Sequence, residues 1–361
     1  MNIVEVKLNT RSYQIGIEAG LLASRIALPA KHRRCAVVTD STVGALYGAK
    51  VRKALSGKQV KIFSITPGEK SKRLSTIESL AIKLLAAGIE RRDLIVALGG
   101  GVVGDIAGFL AATYMRGIGC LQIPTSLIAQ IDSSIGGKTG VDLPDAKNII
   151  GAFHQPVAVL IDPALLKTLP RRHFNNGMAE AIKTAAIGDA KLFAFIEKNA
   201  AKIKALQPAA LERLITECCR FKARIVSRDE RESGIRAILN FGHTVGHAIE
   251  AASRYKLLHG EAIAIGMVAA SKISEKLGLA SSQTTERLIA LLREFSLPTD
   301  LSRAKATTDM ILNAMRADKK IRAGEITFIL PRKIGKVEIR HGVPRGAVAK
   351  ALKELTCRKI R

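Results

Sequence analysis

Hydrophobic and polar positions change rhythm once along the chain, near residue 175. Before that point short apolar runs alternate with helical patterns. Residues 4–6, 35–39, 60–65, 94–98, 121–123 and 157–161 read as strands. Apolar spacings of three and four predict helices between several of them, notably over residues 75–87 and 102–115. Short, nearly continuous apolar strands alternating with helices imply a mostly parallel sheet covered on both faces. After the change, residues 177–186, 192–199, 209–226, 242–253, 261–277 and 282–294 carry apolar residues at helix spacing. Residues 325–330 and 335–339 read as one late hairpin with Pro331 in its turn region. The pattern therefore predicts a nucleotide-type α/β domain over residues 1–170 and a mainly α-helical domain over residues 171–361. The boundary falls near residues 165–175, around Pro170-Arg171-Arg172.

Composition narrows the class. At 361 residues the chain exceeds one ordinary core, and 47% apolar with 24% charged residues describes a folded globular protein. The start alternates like a strand and lacks the form of a signal peptide. Asp105 interrupts the longest apolar run, so no membrane span is expected. Five cysteines without Cys-x-x-Cys spacing argue against a disulfide framework or a zinc ribbon. Together these features point to the cytoplasm. A net charge of +26 raises the question of nucleic acid. Aromatic residues are only 4% with no Trp, however, and stacking platforms are correspondingly scarce. The cations are also spread along the chain, and Lys31-His32-Arg33-Arg34 and Arg171-Arg172-His173 read as solvated loops. A positive field that attracts a small anionic substrate fits better, with no nucleic-acid or membrane partner.

Three stretches carry candidate chemistry. His243, His247 and His259 crowd one apolar, glycine-containing helical window, and His243 and His247, four apart, share a helix face. Imidazoles so placed, with a carboxylate from elsewhere, suit a divalent metal such as zinc. Spacing alone would pair His243 with His247. Upstream, the apolar run 94–98 enters Gly99-Gly100-Gly101-Val102-Val103-Gly104-Asp105, a G-x-G-x-x-G turn between strand and helix that lets a pyrophosphate approach a helix N-terminus. It sits later than the usual first βα turn, so the first domain is expected to be Rossmann-like rather than an ordinary Rossmann domain. Asp40 ends a strand, where it suits either a ribose hydroxyl or the N-cap of the next helix. The polar loop 68–72 ends another strand. Residues 124–139, with Lys147-Asn148, bring hydroxyls, Asp132, paired glycines and lysines suited to a polyhydroxylated anion. Glu180 and Lys183 lie three apart among Ala, Met and Ile, so they are expected to be buried together, where a carboxylate needs a cation or a metal.

The turn 99–105, Asp132-Ser133-Ser134-Ile135-Gly136-Gly137-Lys138-Thr139, Lys147-Asn148, Glu180-Ala181-Ile182-Lys183, residues 240–247 and His259-Gly260-Glu261 together resemble the 3-dehydroquinate synthase family, in order from about residue 40 to residue 320. The resemblance implies Glu180, His243 and His259 as ligands of one zinc or cobalt ion, with His247 beside the substrate. It implies NAD contacts at Asp40, Glu69, Lys72, Gly101, Val102, Val103, Gly104, Asp105, Thr125, Ser126, Lys138, Lys147, Leu166, Lys167 and Thr168. Substrate contacts fall on Asp132, Lys138, Asn148, Lys183, Lys222, Arg236, Asn240, His247 and Lys319 or Lys320. Arg116 resembles an arginine that reaches a neighbouring subunit's phosphate site, and the family is usually homodimeric. Ser126 replaces a common Thr, and Ser71 stands where an aromatic is usual, which loosens the adenosine contacts.

The implied reaction converts 3-deoxy-D-arabino-heptulosonate 7-phosphate to 3-dehydroquinate and phosphate, within the shikimate pathway of aromatic amino-acid biosynthesis. It runs by transient oxidation with catalytic NAD, phosphate elimination, re-reduction and an intramolecular aldol. Rival expectations are another sugar-phosphate cyclase, such as a 2-deoxy-scyllo-inosose synthase, and a metal-dependent NAD polyol dehydrogenase. The cationic set Lys138, Lys183 and Arg236 with Asn148 and Asn240 disfavours an uncharged polyol.

Overall fold

The computed structural model describes every residue except Ala30, Asp145, residues 318–325 and residues 357–361. Lys319, Lys320 and the start of the expected late strand therefore lie outside the described residues. Contacts group the chain into two compact units. The first is residues 1–170 with residues 208–231, and the second is residues 171–207 with residues 232–361.

Among the described residues the first unit is built on nine strands. β1 (Asn2–Val6), β2 (Tyr13–Ile17), β3 (Arg34–Asp40), β4 (Gln59–Ile65), β5 (Leu94–Gly99), β6 (Gly119–Pro124) and β9 (Ala158–Ile161) form one sheet in the order β1-β2-β9-β6-β5-β3-β4. β1 and β2 pair antiparallel, and every other neighbour pair is parallel. Alternate residues of β3 and β5 enter different cores, as the two-residue side-chain period requires. Val37, Val96 and Leu98 pack with Tyr47 and Val51 of α1 (Ser41–Ala54). Ala36, Val38 and Ile95 pack with Leu80 and Leu84 of α2 (Leu74–Ala86) and Ile106 and Leu110 of α3 (Gly101–Thr113). The mostly parallel, doubly covered sheet is thus the expected one.

Several local expectations change. α3 stops at Thr113 because Met115, at φ 48°, turns left-handed, so residues 114–116 form a separate tight turn. The polar stretch after β6 is more ordered than a loop. It forms a π-helical turn, Ala129–Ser133, and then a hairpin of β7 (Lys138–Leu143) and β8 (Ala146–Phe153). Gly108 allows that hairpin to lie on α3, since a Cβ there would meet Thr139 Cγ2 at 2.3 Å.

α4 (Arg171–Gly188) and α5 (Ala190–Lys204) belong to the second unit, but α6 (Pro208–Arg228) groups with the first. Its buried stripe, Leu211, Leu214, Ile215, Cys218 and Cys219, accounts for the docking. The Cys219 thiol donates to Gln130 O at 3.4 Å, and the Ala19 N–H donates to Glu212 at 2.9 Å. The residue span expected for the helical domain is therefore interrupted by one helix.

In the second unit α7 (His243–Ala252), α8 (His259–Lys276), α9 (Ser282–Glu294), α10 (Thr308–Ala317) and α11 (Arg345–Thr356) join α4 and α5. Residues 260–271 of α8 are all buried, which marks it as the central helix. The late hairpin is β10 (Phe328–Lys333) with β11 (Lys336–Arg340). Pro331 lies within β10 opposite Val337, not in the turn. The turn instead uses Gly335, at φ 85°, and the proline sits at a register shift where a missing N–H is tolerated.

Candidate active site and metal centre

Three helices of the second unit bring a carboxylate and three imidazoles together. α4 buries Glu180 and Lys183 on one face, at 1% and 2% exposure. Gly242, at φ 81°, turns the chain into α7, whose first residue is His243, and α8 opens with His259. Glu180 Oε1 lies 3.8 Å from His243 Nε2 and 3.5 Å from His259 Nε2. The Lys183 ammonium is paired with Glu180 Oε2. Glu180 Oε1 is buried and, among the described residues, accepts no hydrogen bond. In a tetrahedral site with bonds near 2.1 Å, ligand atoms stand about 3.4 Å apart. Two imidazole nitrogens and a carboxylate oxygen at these separations are a donor set that fits zinc or cobalt.

The charge states of the three groups differ. Burial resists ionisation of Glu180, but Lys183 and His259 overcome it and hold the carboxyl near 2. Burial, helped by Lys183 and the neighbouring histidines, pushes His243 well below the usual imidazole range and leaves it neutral. For His259 burial is outweighed by Glu180 and Glu250, which raise it to about 9.

A ladder between α4 and α8 holds these candidate ligands in place. Arg172, Asn176 and Glu180 recur every four residues on α4. The Arg172 guanidinium donates twice to Glu261, at 2.8 Å each, and the Leu258 N–H donates to Glu261 at 2.9 Å. The Gly260 N–H donates to Asn176 Oδ1 at 2.6 Å. Arg172, read from sequence as part of a solvated loop, is therefore a clamp on α8. Asn176 and Glu250 were missed altogether. The available signal was spacing, since Glu250 follows His243 and His247 at helix positions of one face.

The other expected substrate contacts divide between the units. Arg236, 2% exposed, and Asn240 lie on the 3₁₀ turn Ile235–Asn240 of the second unit, and Asn240 donates to Glu232 at 2.6 Å. His247 lies beside both other histidines, edge-on to His243 with ring centroids 5.1 Å apart and tilted against His259 at 5.8 Å. In the first unit the Lys222 ammonium is paired with Asp132, and Lys138 opens β7.

The glycine turn runs from β5 into α3 with Gly100 as a cap that has no side chain. Its first N–H groups are thus available to an anion. Ser126 Oγ and Ser133 Oγ border the turn, 3.3 Å and 3.1 Å from where Cβ atoms on Gly100 and Gly101 would stand. Among the described residues Ser133 Oγ is buried without a hydrogen bond, and the Thr125 N–H donates to Gly99 O at 2.9 Å. Such a cradle fits a dinucleotide pyrophosphate. The short turn Glu69–Ser71 delivers Lys72, whose ammonium lies 2.6 Å from Asp105 and also donates to Asn148 Oδ1. Burial raises the Asp105 carboxyl to about 6 even with Lys72 beside it. Exposed Lys147 precedes Asn148 on β8. Asp40 does cap α1, accepting from the Thr42 and Val43 N–H groups at 2.9 Å through Oδ1 alone. Leu166, Lys167 and Thr168 lie on the turn Pro163–Thr168, held to α1 by Tyr47. Arg116 is exposed at the opposite end of α3 from the glycine turn, about 20 Å along a helix of thirteen residues, so the structure does not bring it to that turn.

Sequence models of the 3-dehydroquinate synthase N-terminal and C-terminal regions match residues 62–176 and 177–321. This chain belongs to the 3-dehydroquinate synthase family. A 3-dehydroquinate synthase of Symbiobacterium thermophilum is 46% identical over 357 residues, covering 97% of this chain and 99% of its own. Among solved structures, the chain is similar to 2-epi-5-epi-valiolone synthase from Streptomyces hygroscopicus subsp. jinggangensis with NAD and zinc bound. That match has a TM-score of 0.88 and 32% identity, over 98% of this chain and 99% of the other. It is also similar to 2-deoxy-scyllo-inosose synthase complexed with carbaglucose-6-phosphate, NAD and cobalt, at TM-score 0.90 and 28% identity over 98% and 100%. Among the described residues no helix is long and apolar enough to cross a membrane.

Proposed function

We propose that this 3-dehydroquinate synthase family member converts 3-deoxy-D-arabino-heptulosonate 7-phosphate to 3-dehydroquinate and phosphate. The observation that carries the reading is the convergence of Glu180 Oε1, His243 Nε2 and His259 Nε2, with Lys183 seated on the same carboxylate. When bound, NAD supplies a reversible hydride acceptor and a zinc or cobalt ion lowers the cost of negative charge on the hydroxyl oxygen being oxidised. Glu180, His243 and His259 would hold the metal. Gly101 to Asp105 would hold the pyrophosphate, with Asp40, Glu69, Lys72, Thr125, Ser126, Lys147 and residues 166–168 around the rest of the dinucleotide.

The substrate carries a carboxylate and a phosphate, and cationic side chains suit them. Lys183, Arg236, Asn240, His247, Asp132, Lys138, Asn148 and Lys222 would serve to bind and orient the substrate. Oxidation next to the proton to be lost makes that proton acidic, and the departing phosphate dianion is itself a base. The side chains therefore mainly position it, and they hold one conformer for ring closure. We further read the protein as a cytoplasmic homodimer in which Arg116 completes the phosphate site of the second copy.

The test is phosphate release from the heptulosonate phosphate with sub-stoichiometric NAD, with and without chelator. Turnover that exceeds the NAD supplied and stops on chelation is expected. Net NADH accumulation would identify a dehydrogenase, and turnover of glucose 6-phosphate instead would identify a different cyclase.

A further inference from the structure

His259 presents both ring nitrogens to carboxylates. Nε2 lies 3.5 Å from Glu180 Oε1, and Nδ1 lies 3.3 Å from Glu250 Oε2. Glu250 is buried at 6% exposure, and the reaction as proposed makes no use of it. We propose that Glu250 is a positioning residue of the metal centre. Its carboxylate accepts the Nδ1 proton of His259 and so fixes the tautomer whose Nε2 lone pair faces the cation. This inference rests on the proposed function and deepens it.

A neutral imidazole has one proton, and only the bare nitrogen can bind a metal. His243 meets the requirement through the backbone, with Nδ1 3.2 Å from Phe241 O. At His259 the acceptor is a buried carboxylate instead. A carboxylate in that position raises the basicity of the ring and adds negative charge close to the cation, which strengthens binding. The chain anchors Glu250 firmly. α7 places it on the face of His243 and His247, and the Tyr255 N–H and Ser253 Oγ both donate to its backbone carbonyl, at 2.8 Å and 3.0 Å. The chain then reverses over Arg254 and Tyr255, both left-handed at φ 52° and 56°, which returns it to His259 within nine residues of Glu250.

A rival role exists on the same atoms. His247, Glu250 and His259 also offer three ligand atoms within 4.8 Å of one another, so Glu250 could bind a cation directly. The two roles differ in stoichiometry.

The full chain carrying Glu250→Gln, Glu250→Ala or Glu180→Gln is loaded with cobalt. Affinity is read by chelator competition, and coordination by visible absorption. With Glu250→Gln and Glu250→Ala we expect one cobalt per chain at saturation, an unchanged band pattern, and affinity weaker by about 10- to 100-fold. A purely structural role for Glu250 would lower the unfolding temperature without that loss of affinity. Should Glu250→Ala not fold, the same-sized Glu250→Gln carries the test. Affinity within threefold of wild type in Glu250→Gln overturns the proposal. So does a wild-type chain that binds two cobalt ions where Glu250→Gln binds one. Full affinity in Glu180→Gln sinks the metal centre itself, a separate result.

Discussion

Replacing Gly260 with alanine tests whether the start of α8 sets the metal geometry. A Cβ at residue 260 would stand 2.1 Å from Asn176 O and 2.9 Å from Asn176 C, both backbone atoms of α4. A comfortable carbon–oxygen approach is about 3.3 Å, so the first turn of α8 has to lift by about 1 Å. Overpacking of that kind costs about 1–3 kcal/mol, and the Gly260 N–H bond to Asn176 Oδ1 at 2.6 Å is stretched, for about 1 kcal/mol more. The metal-free protein should therefore lose roughly 2–4 kcal/mol of stability. His259, one residue earlier, moves with the turn, and its 3.5 Å separation from Glu180 opens beyond the spacing a shared cation allows. Zinc or cobalt affinity should fall by about 10- to 100-fold, the order seen when a supporting group of a metal ligand is lost. The assay is chelator competition beside thermal unfolding of the chelated protein. Gly346→Ala is the control, since a Cβ there meets nothing within 4 Å. If Gly260→Ala matched that control in both measurements, the idea that α4 and α8 are locked at this point would be wrong.

Lys183→Ala should lower kcat by far more than it weakens NAD binding; the opposite split in steady-state and binding measurements would move Lys183 to the cofactor set. Without metal, His259 holds its proton up to about 9, because Glu180 and Glu250 outweigh its burial. Zinc uptake at pH 8 should therefore release about one proton, and affinity should fall by up to about tenfold per pH unit as pH drops below that value. Calorimetry in buffers of different ionisation heat measures the proton count, and a count of zero contradicts the charge state. The Asp105 carboxyl, raised by burial, should titrate near 6 in NAD-free protein, and Lys72→Met should move it higher still, since Lys72 opposes the rise. A raised carboxyl favours the fold fully below its ordinary value and loses that contribution as pH climbs through 6, so a midpoint near 4 by carboxyl NMR would refute the burial argument.

The sequence by itself determined the elements whose partners are implied by their own pattern. The all-apolar run of β5 reads as a strand of a covered sheet, and the glycines after it as a turn into a helix. Residues 261–277 carry apolar residues at helix spacing, which predicts the helix α8. Glu180 and Lys183 showed their burial through their neighbours. Tertiary structure decided what no local period encodes. The stripe on α6 is amphipathic whichever unit it covers, and its packing against β1, β2 and the Ala129–Ser133 turn places it in the first. Four-residue spacing favoured His243 with His247, yet Glu180 meets His243 and His259 because α4, α7 and α8 pack there. Arg172 reads as part of a solvated loop, and Asn176 and Glu250 do not stand out, until the start of α8 lies against them. Side-chain periodicity reports how one segment divides inside from outside, whereas a site depends on which insides meet, and that is fixed only when all the segments pack at once.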